Sequence, residues 1–118
     1  MATLAKFTVE AHFEKSDAPV RATYKKLLKA AKQLGPVTED PKKTSIHLVR
    51  RTAFAGVATR RAALILTLKS ESDIRSPRII KHEQASAHRW HVEIRLEAPD
   101  EVDAQLVGWL ERAYALAE

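Results

Sequence analysis

Three histidines lie within ten positions of one another, at His82, His88 and His91. Imidazole is both a common metal ligand and a group that exchanges protons near neutral pH. A metal ion needs its ligands to converge within about 2 Å of one point. Because side chains alternate along a strand, His88 and His91 would face opposite ways in the strand that this stretch predicts. His82 can meet only one of them, and two histidines alone make a weak site, so we expect no metal ion.

Two histidines are candidates for a different role. His91 lies on the polar face of its predicted strand together with Glu93, and His47 lies on the face of an earlier strand that points away from the core. We take both as secondary candidates for a shallow ligand site on the sheet. The simpler alternative, a solvated imidazole on an open sheet face, stays open beside it.

The catalytic motifs that a sequence can reveal are missing. The chain has no cysteine, which excludes disulfides, thiolate nucleophiles and zinc–cysteine sites and is typical of the reducing cytoplasm. It has no phosphate-cradling glycine loop, no nucleophile elbow and no paired-histidine metalloprotease motif. We therefore expect no catalytic residues, no cofactor and no enzymatic activity. A small enzyme with an unrecognised pocket is the least favoured alternative.

Basic residues outnumber acidic ones by 20 to 15, and the net charge is +5. This excess favours an anionic partner such as a nucleic acid or a phosphate compound, although it also keeps a protein soluble. In an antiparallel meander the start of one strand lies beside the end of the next. This arrangement brings Lys42 and Lys43 next to Arg60 and Arg61, which are our candidates for the surface that attracts an anion. We expect Lys32, near the end of the first long helix, to join them.

The elements that must position these residues follow from the hydrophobic pattern. Apolar residues at helical spacing predict a helix over residues 17–34, with a cap at Ser16 or Asp17 and a left-handed glycine cap at Gly35. A second long helix is predicted to begin with Asp100 as its cap.

The sheet is predicted from short apolar runs, after a connection over residues 36–43. The first three runs predict an antiparallel meander, and the last alternates cleanly between apolar and polar residues. Four to five strands result, over residues 44–50, 53–58, 62–69, 78–84 and 88–96.

The fold class is therefore α+β. We expect a two-layer domain, an antiparallel sheet of four to five strands with the N-terminal and C-terminal helices packed on one face. Residues 1–118 are expected to form a single domain, with residues 1–15 as an N-terminal arm or short helix. No apolar run is long enough to span a membrane, and the N-terminus lacks the features of a signal peptide. We expect a cytoplasmic protein with no membrane partner.

Three stretches carry a family pattern: LGPVTEDPKKTSIHLVRRTAFAGV, AALILTLK and HVEIRLEAPDEVDAQLVGWLERAY. From about residue 7 to its end, the chain resembles DUF5655, a family of small bacterial domains of unknown function. The resemblance implies the same fold and singles out Lys43, Thr44 and His91 as positions that match the family's polar pattern. Many members have an aromatic residue where this chain has Leu48. Some members are fused to nuclease-like domains, which favours a role related to nucleic acids.

We expect a non-catalytic cytosolic binding domain that contacts a nucleic acid or another phosphate-bearing ligand through the basic end of its sheet. The alternative is a protein-interaction or homodimerisation module that pairs through an exposed sheet face or edge and has no role with nucleic acids.

Overall fold

The chain folds into one antiparallel sheet with helices packed against it, an α+β architecture. The computed structural model describes residues 7–118, so the first six residues of the predicted N-terminal arm lie outside the described residues. The helices are α1 (Val9–His12), α2 (Ala18–Leu34) and α3 (Ala104–Leu116), and a short 3-10 turn, Pro99–Glu101, precedes α3. The strands are β1 (Thr38–Pro41), β2 (Ile46–Val49), β3 (Ala53–Thr59), β4 (Leu64–Ser70), β5 (Ile79–Ser86) and β6 (Arg89–Leu96).

The strands lie in the order β1-β2-β3-β4-β6-β5, and every neighbouring pair is antiparallel. β2, β3 and β4 form the predicted meander, and β1 adds a further strand before it. After β4 the chain places β5 at the edge of the sheet, and β6 returns between β4 and β5. The two edges of the sheet are therefore β1 and β5.

Within residues 7–118 the sheet has six strands, so the prediction of four to five strands was too low. The missed strand is β1, which lies in the segment predicted to be a connection. Its sequence, TEDP, has no apolar alternation, and the hydrophobic pattern on which the prediction depends is therefore absent. Pro41 has no N–H to donate, which an edge strand tolerates.

A buried tyrosine attaches β1 to the helices. The hydroxyl of Tyr24, on α2, donates a hydrogen bond to Glu39 Oε2 of β1 at 2.6 Å. Burial raises the pKa of the Tyr24 phenol, and the Glu39 carboxylate raises it further. The phenol therefore remains protonated and available as the donor.

The alternation of side chains along the strands gives the sheet a core face and an open face. On β4, Leu64, Leu66 and Leu68 are fully buried, whereas Ile65 and Lys69 remain partly exposed. The buried strand residues form one cluster with apolar side chains of both long helices, among them Val20, Leu27, Leu106 and Leu110. Each fully buried leucine contributes about 1.5–3 kcal/mol to the hydrophobic stabilisation.

A bulge in β3 changes the direction of one aromatic side chain. Leu48 of β2 pairs with Ala55, but the next residue, Val49, pairs with Ala53, so Phe54 has no partner across the ladder. Its side chain is fully buried and its ring meets that of Tyr114 edge-on, with centroids 5.2 Å apart. The bulge therefore turns into the core a residue that simple alternation would leave on the open face.

Helix α2 agrees with the predicted helix over residues 17–34, and Asp17 occupies its cap position. Gly35 is the C-cap residue and has a positive φ, as predicted, but it does not have the left-handed helical conformation. Gly35 has φ 150° and ψ −165°, an extended backbone conformation at positive φ that residues with a side chain rarely adopt. The hydroxyl of Tyr114 lies against this glycine and donates to the carbonyl of Pro36 at 3.1 Å. The close approach ties the end of α2 to α3.

We expect Gly35→Ala to lower the free energy of unfolding by about 1–3 kcal/mol, because of its backbone conformation and the collision of a Cβ with the Tyr114 hydroxyl. Gly108→Ala is the matched control. A Cβ there meets nothing within 4 Å, and alanine in a helix is favoured over glycine by about 0.8–1 kcal/mol. Urea unfolding of both variants measures the difference. A Gly35→Ala variant as stable as the wild type would contradict the packing of Tyr114 on this glycine.

The cap of α3 is Asp103 and not the predicted Asp100, which lies in the preceding 3-10 turn. The Asp103 carboxylate accepts a hydrogen bond from the backbone N–H of Leu106 at 3.0 Å. Nη1 of Arg78 lies 2.9 and 3.1 Å from its two oxygens. The hydrogen bond from Leu106 lowers the pKa of Asp103, and the hydrogen bond from Arg78 lowers it further.

A lowered pKa means that Asp103 stabilises the fold above the ordinary aspartate pKa and loses this effect as the pH falls through the folded-state value. We expect Asp103→Asn, which keeps a good capping side chain but no charge, to lose less stability than the wild type between neutral pH and about pH 2. The midpoint of urea unfolding at both pH values measures this. Asp100→Asn should behave like the wild type. An Asp103→Asn variant with the wild-type acid sensitivity would show that the cap does not titrate with folding.

None of the helices described in residues 7–118 is both long enough and apolar enough to cross a membrane.

Candidate functional site

Two tight turns at one end of the sheet carry the four cations that the sequence singles out. Residues 42–45 connect β1 to β2, and the N–H of Lys42 donates to the carbonyl of Ser45 at 2.7 Å. Residues 60–63 connect β3 to β4, and the N–H of Arg60 donates to the carbonyl of Ala63 at 2.8 Å. Because β2 and β3 are neighbouring antiparallel strands, the two turns project side by side.

The two turns form one side of an open cavity of about 900 Å³, which we call the basic cleft. The segment that runs from α1 into α2 forms its other side. The residues that line the basic cleft are Lys43, Thr44, Arg60 and Arg61 from the turns, Thr59 from the end of β3, and Ala11, His12, Glu14, Lys15, Ser16 and Asp17 from the segment. Lys15, His12 and Ser16 were not predicted as site residues, because they come from a part of the chain whose position the strand pattern does not reveal.

Hydrogen bonds hold this segment against the β3–β4 turn. The N–H of Asp17 donates to the carbonyl of Arg61 at 2.7 Å, and Ser16 Oγ donates to the carbonyl of Arg60 at 2.9 Å. Thr59 Oγ1 donates to the carbonyl of His12 at 2.6 Å. The two sides of the basic cleft are therefore fixed relative to each other before any ligand arrives.

Most cations of the basic cleft are uncompensated. Lys15, Lys43 and Arg60 make no ion pair within residues 7–118. Arg61 has only a long contact, with its Nε 3.9 Å from Asp17 Oδ1, and both groups are exposed. Four cations thus face two carboxylates, of Asp17 and Glu14, and the cleft carries a net positive charge.

Lys42 does not line the basic cleft with its predicted partners. Its Nζ lies 3.0 Å from Asp40 Oδ2, and Asp40 is paired in register with His47. Its backbone carbonyl accepts a hydrogen bond from Nε2 of His12, a residue that does line the cleft, at 2.7 Å. The structure therefore brings together Lys43, Arg60 and Arg61 and separates Lys42 from them.

The expectation that Lys32 joins this cluster is wrong. Helix α2 begins at the basic cleft, where Asp17 bonds to Arg61, and runs away from it for 17 residues, which is about 25 Å. Lys32 lies in its last turn. With Lys25, Lys26 and Lys29 it forms an exposed group of lysines that have no ion pair among the residues described.

The three histidines considered as a possible metal site, His82, His88 and His91, lie apart in the structure. His82 is paired with the buried Val92, on the core side of β5, and its Nδ1 lies 2.5 Å from Asp73 Oδ1. His88 lies in the turn between β5 and β6, and His91 lies on the open face opposite Lys69. Within residues 7–118 there is no group of three or more histidines and carboxylates that could hold a metal ion.

The two secondary candidates, His47 and His91, do line a common surface. Both lie on the open face and border a shallow cavity of about 190 Å³ over β3, together with Gly56, Thr67 and Lys69. The acid nearest to His91 is Glu83, whose Oε1 lies 3.9 Å from Nδ1. Glu93, which shares the face with His91 as predicted, has its closest ion pair with Lys81 at 3.9 Å.

Comparison with known proteins gives a family but no function. A search of curated proteins and a search of solved structures both find no match. The model of the family described as "Domain of unknown function (DUF5655)" matches residues 9–117, which is nearly the whole chain. The match includes both sides of the basic cleft and both histidines of the open face. The chain belongs to the DUF5655 family.

Proposed function

We propose that this protein is a non-catalytic binding domain that holds a phosphate-bearing anion in the basic cleft. The observation that carries the proposal is the convergence of three unpaired cations, Lys15, Lys43 and Arg60, on one concave surface. A phosphate group bears more than one negative charge and has several acceptor oxygens, so it can accept from several cations at once. The absence of cysteine supports a reducing compartment such as the cytoplasm.

The engaged side chains of the basic cleft support a non-catalytic role. His12 and Ser16 are the residues there whose types suit a general base and a nucleophile. Nε2 of His12 already bonds to the carbonyl of Lys42, and the hydroxyl of Ser16 donates to the carbonyl of Arg60. Both side chains therefore serve to hold the wall of the cleft.

The chemistry of the basic cleft favours phosphates over bases. Among the described residues, no phenylalanine, tyrosine or tryptophan lines the cleft as a platform for a base, and the one imidazole there, of His12, is bonded to the carbonyl of Lys42. Contacts to phosphate carry no sequence information, so binding to a nucleic acid would be independent of sequence. A nucleic acid and a small phosphate compound share the recognised group, and the test must separate them.

We expect the wild-type protein to bind a fluorescent single-stranded oligonucleotide with a slope of log affinity on log salt of about −2 to −3, as three or four phosphate contacts imply. Lys43→Glu with Arg60→Glu should weaken binding roughly tenfold or more. Inorganic tripolyphosphate added as a competitor separates the two sources. If tripolyphosphate displaces the oligonucleotide when both supply a similar concentration of phosphate groups, the ligand is a small phosphate compound. If tripolyphosphate competes only weakly, the ligand is a nucleic acid.

The matched control is Lys25→Glu with Lys29→Glu on α2. Both double variants change the net charge of +5 by the same amount, and these lysines are likewise exposed and unpaired among the residues described. The control should keep most of the affinity. An equal loss in both double variants, or an affinity independent of salt, would contradict a specific role of the basic cleft.

Homodimerisation through β5 is the second candidate function. β5 is an edge strand of eight residues, and every residue after Ile79 is exposed. Ile80, with 55% of its surface exposed, is the large apolar side chain that residues 7–118 leave open to solvent. Antiparallel pairing of two copies centred on His82 would place Lys81 opposite the partner's Glu83 twice. The bulges at both ends of β5 limit such pairing, which places this candidate second.

Charge exchange tests the dimer. If β5 pairs in this register, Glu83→Lys should shift the sedimentation coefficient toward that of a monomer, because two lysines then face each other twice. Lys81→Glu combined with Glu83→Lys should restore the dimer. A wild-type protein that sediments as a monomer over the whole concentration series would exclude this candidate.

A further inference from the structure

The open face of the sheet has a depression along β3, because the residues on either side of the bulge are small. Ala53 and Gly56 carry little or no side chain on this face. A Cβ built on Gly56 would lie 3.9 Å from both His47 Cδ2 and Thr67 Cβ, so the missing side chain leaves a space between these two residues. The side chain of the bulged Phe54 is buried in the core, and its backbone contributes to the floor.

Three nitrogen-bearing side chains surround this floor. His47 comes from β2 and Lys69 from β4, and His91 of β6 stands directly opposite Lys69. All three are partly buried, which limits their freedom. The four strands that supply the floor and the walls are neighbours in a hydrogen-bonded sheet, and the pocket is therefore built on a rigid element.

The pocket has a positive charge and a mostly carbon surface. Lys69 makes no ion pair within the described part of the chain, and no carboxylate lines the cavity. Three strand neighbours of the lining residues are acidic. Asp40 is paired with Lys42 at 3.0 Å and Glu93 with Lys81 at 3.9 Å, whereas Glu83 lies 3.9 Å from His91 itself. An anion seated over β3 would therefore meet an uncompensated ammonium and imidazole donors.

We propose that this pocket is a second binding site, independent of the basic cleft, and that it takes a small aromatic carboxylate. The flat floor of backbone and small residues fits the face of one ring, and the cavity of about 190 Å³ has room for a single ring with its carboxylate. Lys69 holds the carboxylate, and the imidazoles of His47 and His91 border the ring. An inorganic phosphate suits the site less well. Its oxygens would lose water over an apolar floor that offers few hydrogen bonds in return.

Nuclear magnetic resonance titration with benzoate tests this site, with benzamide as the neutral analogue of the same shape. We expect benzoate at millimolar concentrations to shift the imidazole signals of His47 and His91 and the amide signal of Gly56. Benzamide and inorganic phosphate should bind to this pocket at least tenfold more weakly than benzoate. Lys69→Gln should weaken benzoate binding about tenfold or more, because it removes a charge-assisted hydrogen bond. Lys25→Gln, which removes an exposed lysine of α2, is its matched control and should leave the affinity unchanged.

Gly56→Ala tests the floor of the pocket. The added methyl group lies at ordinary contact distance from its neighbours, so the fold should keep its stability while benzoate binding weakens. Gly108→Ala makes the same chemical change in α3, away from the pocket, and should not affect binding. The double variant Lys43→Glu with Arg60→Glu should bind benzoate as the wild type does, which separates a failure of this proposal from a failure of the basic cleft.

Three results would overturn the proposal. One is the absence of benzoate-dependent shifts at His47 and His91. Another is equal affinity for benzoate and benzamide, since Lys69 would then have no role. The third is wild-type benzoate affinity in both Lys69→Gln and Gly56→Ala.

Discussion

The hydrogen bonds between the segment that enters α2 and the β3–β4 turn are the interaction on which the candidate site depends. Asp17 and Ser16 bond to the carbonyls of Arg61 and Arg60, and Thr59 bonds to the carbonyl of His12. These contacts join parts of the chain that are more than forty residues apart in sequence. Because backbone carbonyls accept these bonds, the guanidinium groups of Arg60 and Arg61 are not used to hold the segment. Among the residues described, Arg60 Nη1 donates only to the carbonyl of Thr59 at 3.1 Å, and Arg61 has its long contact with Asp17 at 3.9 Å. Without this docking the basic residues would lie on a flat sheet end.

The two faces of the same sheet carry different kinds of side chain. The helices bury its core face, and the alternation of side chains then leaves a second set of residues on the open face. The bulge at Phe54 contributes to both faces, since it fills the core beside Tyr114 and leaves small residues and backbone over β3. A basic cleft at one end and a pocket on the open face are thus consequences of one sheet geometry. They differ in charge density, and we therefore propose a different class of anion for each.

Much of this arrangement could be predicted from the sequence, because strong periodicity marks its elements. The apolar spacing of α2 and the leucines of β4 specify a helix and a half-buried strand. Three of the four predicted basic residues meet in the cleft, because meander geometry alone places them at one sheet end.

The features that the sequence did not predict were missed for physical reasons. β1 was missed because TEDP has no apolar alternation, and Lys42, in the turn after β1, departs from the cluster because it pairs with Asp40 of that strand. The contribution of Lys15 and the meeting of His47, Lys69 and His91 depend on tertiary docking and strand register, which no local pattern shows.

We propose that the basic cleft, and not the general positive charge of the surface, binds a phosphate-bearing anion. The most direct measurement is an amide-resolved nuclear magnetic resonance titration of the wild-type protein with inorganic pyrophosphate. We expect saturable shifts at the amides of the cleft, above all Ser16, Lys43, Thr44 and Arg60, with little change along α2. Shifts that concentrate on the lysines of α2, or that spread over the surface without saturation, would contradict it.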